Sequence, residues 1–111
     1  MSFFSKIFSA NTVTAREAHD KMAQGGNYVL LDVRTPEEYR EVRIDGARLI
    51  PVDQIERRAA AELPDKNSLI LVYCQSGMRA TSAVKMLRNM GYNNAVSFGG
   101  IMNWPYETVR G

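Results

Sequence analysis

The sequence holds one cysteine, one histidine and one tryptophan among 111 residues, and the scarcity of the first two excludes whole classes of chemistry. A single thiol cannot close an internal disulfide, so packing must hold the fold, which suits a reducing cytoplasm. No second thiol is present to resolve an intermediate carried on the first, so whatever Cys74 carries must leave to another molecule. One cysteine and one histidine do not furnish a metal cage, and neither a metal nor any other cofactor is expected. The net charge is only +2, and the lysines and arginines are scattered rather than blocked, which gives no case for nucleic acid. Long apolar runs are missing too: the segment from Ser2 to Ser9 is too short for a membrane span or a secretory signal. No stable membrane insertion is expected, and the protein reads as cytoplasmic.

The length fits one domain. The expected division is a short apolar N-terminal segment over 1–11 and a folded domain over 12–111. Phe3, Phe4, Ile7 and Phe8 recur at helical spacing, so one or two helical turns there would carry an apolar face, either packed on the domain or offered to a partner. There is no internal repeat, low-complexity tract or linker.

Helix and strand signals alternate along the rest. Thr14 with Glu17 forms a capping box before a helix from Ala15 to about Gln24, and Gly25-Gly26 marks its end. Tyr28 to Val33 is a nearly continuous apolar run that suits a strand covered on both faces. Thr35, Pro36 and Glu38 start a short helix to about Glu41, and Asp53 with Glu56 repeats that logic before a helix over Ile55 to Leu63, closed by Pro64. Arg48–Pro51, Leu69–Tyr73 and Ala95–Phe98 read as further strands, and Arg79–Met90 as the best helix, with Gly91 at its end. This alternation predicts an α/β fold: one domain with a mostly parallel central sheet and helices on both faces. Ligands of such sheets sit at the carboxyl ends of the strands.

Cys74 lies at such an end, between the apolar run Leu69–Tyr73 and the helix start at Gln75-Ser76-Gly77-Met78-Arg79. Free cysteine is often a small buried hydrophobe, and position alone does not separate that reading from a reactive one. The loop separates them. The first-turn N–H groups of a helix carry partial positive charge and favour a thiolate. Gly77 can take positive φ, and with Ser76 it can turn successive amides inward as an anion nest. Arg79 adds a permanent cation. Cys74 therefore reads as a nucleophile, with Gln75, Ser76, Gly77, Met78 and Arg79 as its substrate-binding loop.

Arg79 has two readings, a contact to the bound anion or an ion pair with a carboxylate beneath the loop. Asp32 and Arg34, at the end of their own strand, divide the same way between fixing the adjoining loop and touching substrate. Trp104 and the six methionines read as packing, and His19, remote in sequence, is not expected to be a catalytic base.

Four separated motifs then carry a resemblance. Asp32-Val33-Arg34 with Pro36-Glu37-Glu38-Tyr39, Ile44-Asp45-Gly46-Ala47 leading to Ile50-Pro51, Cys74 to Arg79, and Gly99-Gly100-Ile101 leading to Trp104 resemble, in order and spacing, the landmarks of a single-domain rhodanese. The resemblance spans Thr12 to Trp104. It departs at Arg43, where a histidine is common, and at Asn103, where a small residue is. It implies a sulfurtransferase whose Cys74 carries sulfur as a persulfide, taken from thiosulfate or another persulfide and passed to cyanide or a thiol, including a protein thiol. Two other readings stand beside it. A cysteine-dependent phosphatase would use a similar loop, but the phosphatases that resemble this fold have one residue more than the four between Cys74 and Arg79. A non-catalytic binding module of the same family usually lacks the cysteine.

Overall fold

The first two helices open on the capping boxes that the sequence predicts. The computed structural model describes residues 11–111, so the apolar segment at 2–9 and its expected helical turns lie outside the described residues. Helix α1 (Ala15–Ala23) starts where Thr14 Oγ1 accepts the Glu17 N–H at 3.0 Å and the Thr14 N–H donates to Glu17 Oε1 at 2.8 Å. Helix α2 (Pro36–Glu41) repeats the device with Thr35 and Glu38 and places Pro36 at its first position, where no N–H is needed.

Helix α3 (Ile55–Glu62) begins at the expected residue and stops one short of the expected Leu63, but its start is built differently. Asp53 does not cap it: a 3-10 turn, Val52–Gln54, intervenes, and Gln54 stands at the helix start with no side-chain cap. The Gln54 N–H is already used by the Pro51 carbonyl at 2.8 Å, which closes that turn ahead of the helix. Helix α4 spans Met78–Asn89, one residue earlier at each end than its pattern predicts.

Four parallel strands form the sheet in the order β2-β1-β3-β4: β1 (Tyr28–Asp32), β2 (Arg48–Leu49), β3 (Leu69–Cys74) and β4 (Ala95–Gly100). Strand β2 stops at Leu49, short of the expected Pro51, because a proline offers no N–H to the ladder. Strand β4 runs past the expected Phe98 to Gly100, through a register shift between Val72 and Cys74 that pairs Cys74 with Gly100.

The continuous apolar runs of β1 and β3 exist because both sheet faces are covered. On one face Ile55 and Ala59 of α3, Leu63 just beyond it, and Ala80, Ala83, Val84 and Leu87 of α4 pack on Leu31, Ile70 and Val72. On the other, Ala18 of α1 joins Leu30, Leu71, Val96, Phe98 and Trp104. Tyr92, fully buried, points its hydroxyl at the Leu63 carbonyl at 2.7 Å and the Ala59 carbonyl at 3.1 Å, tying the chain beyond α4 to the end of α3. Among the described residues no helix is long and apolar enough to cross a membrane.

Candidate active site

Strand β3 delivers Cys74 to the carboxyl edge of the sheet, and the chain turns through Gln75, Ser76 and Gly77 straight into α4. Cys74 is only 1% exposed, and its Sγ accepts the Gly77 N–H at 3.0 Å. Gly77 holds φ at +121°, a conformation that side-chain-bearing residues rarely adopt, which is the freedom predicted for it. Unlike α1 and α2, helix α4 has no side-chain cap. Its first-turn N–H groups are left to be satisfied by something other than a capping side chain, immediately behind the sulfur.

The loop is shaped from β4. Gly100 pairs with Cys74, and a Cβ at position 100 would lie 2.6 Å from Ser76 Cα and overlap the Gln75 carbonyl. The Met102 N–H donates to that same carbonyl at 3.2 Å. Gly100 thus permits the loop to lie against the strand, a role that sequence reasoning did not assign; the Gly99-Gly100 pair beside a short strand was the available signal.

Asp32 and Arg34 are fully buried and bound to each other. The Arg34 Nη2 donates to Asp32 Oδ2 at 2.7 Å and its Nε to Asp32 Oδ1 at 3.0 Å, while its backbone N–H also reaches Oδ1 at 2.9 Å. The same guanidinium donates to the Val42 carbonyl at 2.6 Å and to Gln75 Oε1 at 3.2 Å. Burial works against the charge on Arg34, but the hydrogen bonds and charge of Asp32 more than offset it and raise its pKa. Of the two readings, the geometry is that of the brace: it fixes the end of β1 and holds the first side chain of the cysteine loop. Next to Cys74, the buried Tyr73 hydroxyl accepts the Ile44 N–H at 3.1 Å, and burial, then the nearby Asp32 charge, push its pKa up.

Arg79 meets a carboxylate. Its Nη1 and Nη2 donate to Glu38 Oε1 and Oε2 at 2.8 and 2.9 Å, a bidentate pair whose side chains are 36% and 29% exposed. The Arg79 hydrogen bond holds the Glu38 carboxyl down to about 2, with the Thr35 cap adding to the effect. Glu38 raises the Arg79 pKa in turn, and the Cys74 sulfur is close enough to contribute to it. Sequence reasoning read Glu38 only as a capping residue.

Gln75, Ser76 and Met78 are exposed around the buried sulfur. Met78, 81% exposed, and Met102, 64% exposed, are the two large apolar side chains left in solvent among the described residues, and both adjoin the loop. His19 stacks on Tyr106 at 3.8 Å, in an aromatic cluster with Trp104 that shares no residue with the loop. Arg43, one of the departures, lies with its guanidinium 4.7 Å from the Tyr39 ring centre, and its backbone pairs with Val109.

The described residues thus form a parallel α/β domain that brings one thiol to a helix start with no side-chain cap. Residues 14–106 match the Rhodanese-like domain family, and the chain belongs to it. It is a rhodanese-type enzyme of the sulfurtransferase class. It is 36% identical over 81 residues to the thiosulfate sulfurtransferase PspE of Escherichia coli (strain K12), covering 73% of this chain and 78% of that protein. Among solved structures it resembles a rhodanese with anions from E. coli, at a TM-score of 0.68 and 35% identity over 76% of this chain and 99% of that one. The human single-domain sulfurtransferase TSTD1 superimposes with a TM-score of 0.77 and 29% identity, over 86% of this chain and 96% of the other.

Proposed function

We propose that this enzyme moves sulfane sulfur in two steps through a Cys74 persulfide. The observation that carries the proposal is the Gly77 N–H aimed at Sγ from the start of a helix that has no side-chain cap. In the first step the Cys74 thiolate attacks the outer sulfur of the donor. With thiosulfate the S–S bond of the donor breaks, sulfite leaves with the electron pair, and Cys74 becomes a persulfide anion. With a persulfide donor the leaving group is a thiolate. Nucleophilic catalysis of this kind divides one transfer into two easier displacements. The Gly77 amide and the first-turn amides of α4 stabilise the negative charge without reorganising, as preorganised donors do.

In the second step a nucleophile attacks the terminal sulfur and the Cys74 thiolate departs. Cyanide gives thiocyanate; a thiol, including a protein thiol, gives a new persulfide. No proton transfer is required while both sulfur species are anions, which agrees with His19 lying in a separate aromatic cluster. The lone buried thiol, with no disulfide partner in the chain, fits a cytoplasmic setting. The E. coli rhodanese that this chain resembles is described with anions, which agrees with an anionic donor.

Thiocyanate formation from thiosulfate and cyanide tests the proposal. Cys74→Ser retains a near-isosteric side chain but has no thiolate to form, and it is expected to lose the activity to background while staying folded. Turnover in that variant within about tenfold of the unmodified protein would remove Cys74 from the reaction, since losing a covalent nucleophile costs orders of magnitude.

A further inference from the structure

Arg79 ends the cysteine loop, yet its charge is not offered singly to a ligand. Both terminal nitrogens are taken by Glu38, at 2.8 and 2.9 Å. Glu38 is itself held in place, because its Oε1 also accepts the Thr35 N–H at 2.9 Å and the Thr35 hydroxyl at 3.1 Å. The carboxylate therefore cannot follow Arg79 without breaking the cap of α2, and Arg79 cannot turn towards a ligand without leaving a bidentate ion pair. The other arginine braced against the loop, Arg34, is 1% exposed and paired with Asp32. Among the described residues, the two arginines that reach the loop are each matched by a carboxylate, so the charge there is already paired and what the loop itself offers an anion is uncharged donors such as the Gly77 amide.

Resting on the sulfur-transfer reading above, we infer that Glu38 sets the charge specificity of the donor: by holding Arg79, it keeps the loop from favouring a dianion over a monoanion. Amides solvate a single negative charge on sulfur well, whereas a second charge gains from a free guanidinium. Thiosulfate, a dianion, and methanethiosulfonate, a monoanion, present the same outer sulfur and separate the two cases. The second reaction balances as the first does: the thiolate takes the outer sulfur, the S–S bond breaks, and methanesulfinate leaves with the electron pair.

Glu38→Gln is the informative change, since glutamine at the third position of a capping box still accepts the Thr35 N–H while losing the charge that binds Arg79. The quantity to measure is the ratio of kcat/KM for thiosulfate to that for methanethiosulfonate, with cyanide as acceptor. A released, partly exposed guanidinium is expected to raise this ratio by about threefold or more, mainly through a lower KM for thiosulfate, with the gain shrinking as salt is added. Adding Arg79→Gln to Glu38→Gln should cancel the gain. Arg79→Gln alone, which leaves Glu38 unpaired beside the loop, should lower the ratio below that of the unmodified protein. General damage to the loop would depress both donors together and leave the ratio unmoved. A ratio that is unchanged or lower in Glu38→Gln would overturn the inference while leaving the sulfur-transfer reading intact. Absence of turnover with either donor by the unmodified protein would overturn that reading and this inference with it.

Discussion

At position 100 the difference between glycine and alanine is one methyl group, and the structure places that methyl against the cysteine loop. Gly100 has an extended backbone, with φ −130° and ψ 155°, that any residue adopts, so the constraint there is contact rather than conformation. Gly77 is the opposite case, with its Cβ direction open apart from ordinary contact with Gly99 at 3.5 Å, but a φ of +121° that penalises any side chain. Gly100→Ala should push the Gln75 carbonyl away and break its bond from the Met102 N–H. Displacing a reactive group by about 1 Å can cost about 100-fold in rate, and thiocyanate production should fall by that order while circular dichroism shows a folded protein. Unaltered turnover would mean that the loop shifts without consequence. The special demand at Gly77 was legible in sequence, because a glycine between a strand and a helix signals positive φ. The demand at Gly100 was not, because it arises from a neighbour 25 positions away in the chain.

Helix α2 is six residues long and buries none of them fully, so its stability depends on its cap and on what its side chains hold. Glu38 serves both, closing the box with Thr35 and binding Arg79 of α4. Its carboxyl is depressed to about 2 in the fold, from 4.5 in the unfolded chain. A depressed carboxyl stabilises the fold fully above its unfolded pKa and loses that contribution as pH falls through its folded pKa. The stability difference between the unmodified protein and Glu38→Gln should therefore be largest at neutral pH and shrink between about pH 4.5 and 2. Urea unfolding midpoints of both proteins across that range would show it; a difference independent of pH would mean that the pair adds nothing to stability. At this scale the sequence was read well where a local rule applied, as at the two Thr-x-x-Glu boxes. The start of α3 at Ile55 was read correctly but its cap at Asp53 was not, because Asp53 lies in a 3-10 turn held by hydrogen bonds from Ile50 and Val52 to Asp32 and Val33, outside the local window.

Over the whole molecule, the parallel order β2-β1-β3-β4 puts the ends of β1 and β3 side by side, and this brings together residues that the sequence keeps far apart. Arg34 reaches Gln75, and Glu38 reaches Arg79, each across 41 positions. The alternation of apolar strands and amphipathic helices was enough to predict the fold and to place Cys74 at the carboxyl edge of the sheet. The contacts of Arg34 with Gln75 and of Arg79 with Glu38 were not visible, because pairing between distant segments leaves no periodic trace in either one. The arrangement that results is a buried thiol that accepts the Gly77 N–H, beside two arginines each matched by a carboxylate. Its central claim is that Cys74 itself carries the sulfur. The most direct measurement is mass spectrometry of the protein after exposure to thiosulfate and removal of excess donor. The account predicts one added sulfur, located on the peptide containing Cys74 and lost on treatment with cyanide. An unmodified Cys74 peptide from protein that nonetheless produces thiocyanate would contradict it.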